Sequence, residues 1–325
     1  MPVRFGLLST ARINDEILQG AAPSNAVEVV AVGSRDQARA EAYATEKGIP
    51  RAYGSYEELL TDPEVDAIYN SLPNSMHVPW TLRALEAGKH VLCEKPMGRR
   101  SAEVERAFDA AEGAGLIVME AFMYRHHPQT KKLRELVVGG AIGEVRKIRS
   151  HFTFLLEDES DLRMRPELDG GSLMDLGCYC VSGSRLIAGE PESVEGTQVL
   201  SETGVDLRFS RTLRFAAGIE AEFECGFDAP RSSQLEVEGT NGSALVRDPW
   251  GCSEHAIELR RNCQTARVEV EDLDRYRLQL ENFAAAIEGT EEPLLGRADA
   301  LGQAWTIEAL YRSAETGTPV APASA

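Results

Sequence analysis

Between the apolar run VRFGLL at 3–8 and the helical pattern at 12–21, the chain places Ser9, Thr10, Ala11, Arg12 and Ile13. Hydroxyls, a small residue and a cation in a turn that opens a helix suit a phosphate. The first backbone N–H groups of a helix lack intrahelical acceptors, and its dipole favours an anion there. In doubly wound folds this turn usually reads G-x-G-x-x-G. Here Ser9, Ala11 and Asn14 stand at the glycine positions, all small or turn-compatible. Read alone, the turn serves a dinucleotide or is an ordinary strand-to-helix connection beside some other ligand. After the second apolar run, at 27–33, come Ser34 and Arg35, with Arg39 a helical turn further on. A carboxylate there would bond a ribose 2′-hydroxyl and select NAD; a hydroxyl and an arginine fit a 2′-phosphate and favour NADP. In the competing reading Asp36 is the acidic determinant, or merely caps the next helix, and Arg35 is a solvated surface charge.

The elements that must hold these turns follow from periodicity. Apolar β-branched runs at 3–8, 27–33, 65–72, 90–96 and 116–122, with a short strand at 52–53, alternate with helical patterns at 12–21, 36–47, 55–60, 77–88 and 100–115. Ser55 and Glu58 form a capping box for the third helix. Near-continuous apolar strands joined by helices imply a parallel sheet covered on both faces. From about residue 145 the pattern alternates instead, at 145–154, 212–227 and 232–246, with Asn241-Gly242 as a hairpin signal. Helices are expected at 172–189, 276–289 and 297–315, and the APASA tail at 321–325 is expected to fray. The chain thus divides into a dinucleotide-binding domain at 1–122 and an α+β domain at 123–325.

Composition narrows the partners. The 325 residues are 43% hydrophobic and 26% charged, which is typical of a globular protein. A net charge of −18 repels nucleic acid and anionic membranes, so neither is expected as a partner. The opening MPVRFGLLST lacks the apolar core of a signal peptide, and no run approaches a membrane span, so a cytoplasmic location is expected. Six cysteines form no C-x-x-C pair, the C-x-C at Cys178 and Cys180 lacks further ligands, and no metal is expected. His126-His127 before Pro128 also lacks a third ligand and reads as shaping the domain junction.

Two further stretches, SLPNSMH at 71–77 and CEKPMG at 93–98, follow parallel strands at the sheet end where such folds bind ligands. Lys95 is one of six lysines and lies between Glu94 and Pro96. With EAFMYRHHPQ at 120–129 and PELDGGSLMDLGCY at 166–179, these motifs resemble the Gfo/Idh/MocA family over nearly the whole chain. The resemblance implies a Rossmann domain followed by an α+β domain with an open, mainly antiparallel sheet, whose outer face forms the oligomer interface. It implies that Lys95 lies beside the nicotinamide and substrate, and that Tyr179, last in D-x-G-x-[HY], is the acid/base. Inositol dehydrogenases carry His there; Tyr is similar to the branch of NADP-dependent sugar dehydrogenases, dihydrodiol dehydrogenases and keto-sugar reductases. The glycine-poor opening turn departs from the common family pattern.

The expected cofactor contacts are Ser9, Thr10, Ala11, Arg12, Ile13, Ser34, Arg35, Arg39, Leu72, Asn74, His77, Glu94, Lys95, Arg163 and Tyr276. His77 is expected to cap a helix near the nicotinamide, and Arg163 to lie in a loop over the cleft. Hydride leaves a carbinol carbon as its hydroxyl proton is removed, so one side chain must accept that proton. Free tyrosine is a poor base near neutral pH, and the Lys95 ammonium would stabilise its phenolate. Asp175 stands four residues before Tyr179, on the same helical face, and would reach substrate hydroxyls or hold the lysine. The outcome is an oxidoreductase passing hydride between NADP(H) and a sugar, polyol or keto-sugar; a non-catalytic NADP-binding sensor of the same fold is the alternative. The alternating runs at 212–227 and 232–246 retain apolar residues on the uncovered sheet face, so a homodimer or homotetramer joined there is expected.

Overall fold

A computed structural model describes residues 1–323, so the last two residues of the tail expected to fray lie outside the described residues. The chain forms two compact units, the first comprising Met1–Met123 with Asp274–Leu301 and the second Tyr124–Leu273 with the chain from Gly302 onward.

In the first unit six strands, β1 (Val3–Leu8), β2 (Val27–Gly33), β3 (Arg51–Tyr53), β4 (Ala67–Asn70), β5 (His90–Cys93) and β6 (Val118–Glu120), form a parallel sheet of order β3-β2-β1-β4-β5-β6. Phe5, Leu7, Ala31, Val32, Ile68, Val91 and Leu92 are wholly buried, as helices on both faces require. The connecting helices are α1 (Asn14–Ala21), α2 (Gln37–Lys47), α3 (Tyr56–Leu60), α4 (His77–Glu86) and α5 (Ser101–Ala114). The Ser55 hydroxyl accepts from Glu58 N at 3.1 Å and caps α3. Asp36 accepts from Arg39 N at 2.8 Å and caps α2. The strand order reverses between β1 and β4, and a crevice opens at such a switch point.

The second unit contains α6 (Pro128–Val138), α7 (Cys178–Ala188) and eight strands: β7 (Val145–Leu155), β8 (Ser193–Leu200), β9 (Asp206–Arg214), β10 (Glu220–Gly226), β11 (Asp228–Gly239), β12 (Gly242–Arg247), β13 (Ala256–Arg261) and β14 (Gln264–Glu269). Their order is β14-β13-β12-β11-β7-β10-β9-β8, antiparallel throughout except for the parallel pair β7 and β10. The run at 212–227 is two strands, split by a turn at Ala216–Gly218. The hairpin signal holds, with Gly239 opposite Gly242.

The expectation of an apolar open face is corrected. Apolar residues of the alternation, among them Ile148, Phe209, Leu213, Ala221, Phe223 and Val237, are buried, while the intervening positions carry charge. Lys147 pairs with Glu222 at 2.7 Å, Arg214 with Glu195 at 3.3 Å, and Arg149 with Glu238. A period of two can supply one apolar face, and the core takes it.

The single division expected after residue 122 also differs from the structure. Helix α8 (Arg275–Ile287) returns to the first unit and packs on α1. The approach is close enough that a Cβ on Gly20 would lie 2.8 Å from Arg277 N. Helix α9 (Arg297–Thr316) begins in that returning segment and continues in the second unit.

Candidate active site

Ser9 follows β1 and Ser71 follows β4, so both sit at the switch point of the first unit. Ser9 has φ 114°, a conformation natural to glycine and strained for other residues. A ring of hydrogen bonds holds it there. Ala11 N donates to Ser9 Oγ at 3.1 Å, Ser9 Oγ lies 3.0 Å from Ser71 Oγ, Ser71 Oγ donates to Asn14 Oδ1 at 2.8 Å, and Asn14 Nδ2 donates back to Ser9 O at 2.8 Å. The serine-rich turn thus keeps a backbone shape that the glycine version has without assistance. The backbone N–H groups of Arg12 and Ile13, just before α1, have no partner among the described residues and fit a phosphate. Beside them Arg39 Nε donates to Thr10 Oγ1 at 2.9 Å, which joins α2 to the same turn. Ser34 is buried and Arg35 exposed, and with Asp36 turned to its helix no carboxylate of this segment is committed to a ribose 2′-hydroxyl. These residues therefore fit a dinucleotide carrying a 2′-phosphate.

The loop after β5 is braced at successive positions. Tyr69 Oη donates to Glu94 Oε1, Lys95 N donates to Glu94 Oε2 at 3.2 Å, and Met97 N donates to Glu120 Oε1 at 2.7 Å. His77 lies with Nδ1 2.9 Å from Pro96 O and Nε2 2.7 Å from Leu72 O, so it ties the loop after β4 to the one after β5. The expectation that His77 caps a helix is corrected: Met76 is the N-cap of α4, and the imidazole spans two loops. Burial pulls its pKa down to about 4, against the two carbonyl contacts, which pull it up. Asn74 opens the short turn before α4, and Tyr276, in the first turn of α8, is buried, with its hydroxyl pKa raised by that burial and by Glu94.

In the second unit, Asp175 lies in a π-turn, Leu173–Gly177, that runs into α7, where Tyr179 is the second residue. The continuous α-helix expected over 172–189 is therefore replaced by a π-turn followed by an α-helix. Tyr179 is buried, its ring 5.7 Å from Phe152 and 5.9 Å from both Tyr124 and Trp250. Arg163 Nε donates to Asp175 Oδ2 at 2.7 Å, and Arg163 Nη1 lies 3.2 Å from Asp161 Oδ1. The two carboxylates raise the pKa of Arg163, Asp175 foremost. Arg163, expected as a cofactor contact, donates to Asp175 and Asp161.

The sequence offered no signal for Asp206, which anchors this turn. Its carboxylate accepts from Leu173 N at 2.6 Å, Ser172 Oγ at 2.9 Å and Tyr311 Oη at 2.9 Å. A Cβ on Gly171 would clash with the same carboxylate, and Gly171 has φ 119°. Ser71, Tyr69 and Glu120 were likewise overlooked, since each acts through a loop rather than through a motif. His127 caps α6 by accepting from Gln129 N, and among the described residues no cluster of three metal-ligating side chains occurs.

Similarity to known proteins agrees with this geometry. Residues 4–122 match a model of an oxidoreductase family with an NAD-binding Rossmann fold, and residues 130–245 match the GFO/IDH/MocA C-terminal domain. The chain is 41% identical over 97% of its length, and 98% of the relative's, to D-xylose 1-dehydrogenase (NADP(+)) 2 of Haloferax volcanii. It is 38% identical over 80% of its length, and 79% of the relative's, to the trans-1,2-dihydrobenzene-1,2-diol dehydrogenase of Mus musculus. A 3-ketoreductase from Actinomadura kijaniata, solved with NADP and TDP-benzene, superposes with a TM-score of 0.91 at 28% identity, covering 96% of this chain and 98% of that one. With both halves of the family pattern matched, the chain belongs to the Gfo/Idh/MocA family of oxidoreductases.

Proposed function

We propose that this protein is an NADP-dependent dehydrogenase or reductase acting on a hydroxyl, or the matching carbonyl, of a cyclic sugar, polyol or keto-sugar. The observation that carries the cofactor assignment is the end of β2, where Ser34 and Arg35 stand beside an Asp36 committed to capping α2. The names of the relatives, a xylose dehydrogenase and a dihydrodiol dehydrogenase, support the substrate class. Ser9, Thr10, Ala11, Arg12, Ile13 and Arg39 would hold the phosphates; Leu72, Asn74, His77, Glu94 and Tyr276 would line the remainder of the cofactor. NADP(H), when bound, takes up or supplies the hydride.

Tyr179 is the group we assign to the proton. As alcohol becomes carbonyl, its phenolate oxygen takes the hydroxyl proton, and in the reverse direction the phenol returns it. Tyrosine's ordinary pKa near 10 makes this unfavourable at neutral pH unless a cation stabilises the phenolate. Lys95 supplies that ammonium and donates to the substrate oxygen. Asp175, held by Arg163, accepts from a substrate hydroxyl. The test is Tyr179→Phe, which keeps the ring among Phe152, Tyr124 and Trp250 and removes the hydroxyl. NADP binding should persist while turnover falls by about 10² to 10⁴. Lys95→Ala should show a comparable loss, and the double variant little more than either alone. Retention of most activity by Tyr179→Phe, on the best substrate of a screen of aldoses, inositols, keto-sugars and dihydrodiols, would overturn the assignment.

We further propose a homodimer or homotetramer joined through the open face of β7, β9 and β10, where basic and acidic side chains pair with one another across the strands and cover the face without leaving an unbalanced charge. Light scattering at micromolar concentration should give a multiple of 35.5 kDa; a monomer would refute this. A cytoplasmic setting is supported by six cysteines, none of them in a disulfide.

A further inference from the structure

We infer that the interior of the second unit holds a small monovalent anion, of the size and charge of chloride, against the guanidinium of Arg211. Arg211 lies on β9 and is buried, 6% exposed, with its guanidinium over the ring of Phe223. Its bond from Nη1 goes to Phe209 O of its own strand at 3.4 Å, and its Nε and Nη2 atoms have no partner among the described residues. Two strands away, Ser150 Oγ is also buried and unpartnered. Ser150 pairs with Phe223, and Phe223 with Arg211, so the three form one row across β7, β10 and β9.

The chemistry of this row is one-sided. Arginine cannot shed its proton inside a protein, and a lone buried cation carries a large desolvation cost. Close to it the Cys180 and Cys225 thiols and the Ser150 hydroxyl bring donors, while Glu224, which follows Phe223 along β10, acts on Arg211 through space with no hydrogen bond to it. Burial pushes the Cys180 thiol up to about 11 and raises Cys225 well above its usual range, against the pull of Arg211 on both. Asp206, the buried carboxylate earlier on the same strand, is already occupied by Leu173 N, Ser172 Oγ and Tyr311 Oη. Water would saturate the donors and leave the charge.

The same unit contains a contrasting arginine. Arg185 is also buried, yet its Nε and Nη2 donate to Glu190 at 2.8 and 2.6 Å and its Nη1 to Gln303 Oε1 at 3.1 Å. Burial of a guanidinium in this unit therefore comes with a full set of acceptors at Arg185, and Arg211 lacks the equivalent. An anion there would lie beneath α7, against Cys180, the residue after Tyr179.

Two measurements decide it. Wild-type crystals soaked in bromide should show an anomalous peak in contact with Arg211. In solution, unfolding should be followed in potassium chloride and in potassium gluconate at equal ionic strength, since a chain of net charge −18 responds to salt of any kind. Chloride at a hundred times its Kd should raise the folded-to-unfolded ratio of the wild type about a hundredfold relative to gluconate. Arg211→Met should lose that chloride-specific gain. A bromide map blank at Arg211, or an equal chloride-specific gain in Arg211→Met, would overturn the inference. If Arg211→Met does not fold, the wild-type bromide map decides alone.

Discussion

Replacing Ser9 by glycine and by alanine separates two opposing contributions in the switch-point turn. At φ 114° a non-glycine residue carries strain of order 1 to 3 kcal/mol. The side chain offsets part of it by accepting from Ala11 N and bonding Ser71 Oγ, each worth about 1 kcal/mol net. Ser9→Ala keeps the strain and loses both bonds, so it should be less stable than wild type by about 2 kcal/mol. Ser9→Gly also loses both bonds but releases the strain, against about 0.5 to 1 kcal/mol of extra unfolded-state entropy. It should therefore fall within about 1 kcal/mol of wild type, and above alanine by about 1 to 2 kcal/mol. Urea unfolding followed by a probe in the first unit measures the difference directly. An alanine variant as stable as the glycine variant would show that Ser9 is not strained and that the hydrogen-bonded ring does not hold it in place.

The remaining expectations concern cofactor choice and acid stability. Arg35→Ala should weaken NADP by about tenfold or more while leaving NAD nearly unchanged, as removal of a charge-assisted phosphate contact requires; titration with both dinucleotides tests this, and an unaltered preference would dismiss Arg35. His77 and His126 are buried, with pKa values pulled down by that burial to about 4 and about 3. Because the unfolded chain binds these protons near pH 6.5 and the folded one does not, their contribution is full above 6.5 and is lost as pH falls toward 4. Each should remove about 2 kcal/mol by pH 5. Urea midpoints at pH 7 and 5 should show the decline, His126→Gln should remove about half of it, and a midpoint constant over that interval would contradict the buried neutral state.

The first unit was legible because its signals are local. Apolar runs such as VRFGLL and VEVVAVG are buried over most of their length, and their alternation with helices along the chain is the pattern of a doubly wound sheet. The cofactor turn was legible in outline, through Ser9, Ala11 and Asn14 at the glycine positions, but Ser71, which completes its ring, is 62 residues from Ser9. Asp206 left no trace for the same reason: its partners Ser172, Leu173 and Tyr311 are distant in sequence, and a lone aspartate at a strand start reads as solvated. Strands β8, β13 and β14 escaped; QTARVE at 264–269, for one, is exposed at nearly every position and so has no apolar alternation to read. The π-turn before Tyr179 has no periodicity distinct from an α-helix over five residues.

The return of α8 to the first unit bears on how the protein emerges from the ribosome. Residues up to 123 supply all six strands of the parallel sheet, yet the surface of α1 around Gly20 waits for Tyr276 and Arg277 to cover it. Some 150 residues of a second folding unit must be synthesised in between. The nascent sheet therefore carries an uncovered flank through the middle of translation, and all eight strands of the second unit are synthesised before the first unit can be finished. Its long-range closure makes this chain a poor candidate for division at residue 122 and a natural client for chaperones that shield a half-built layer.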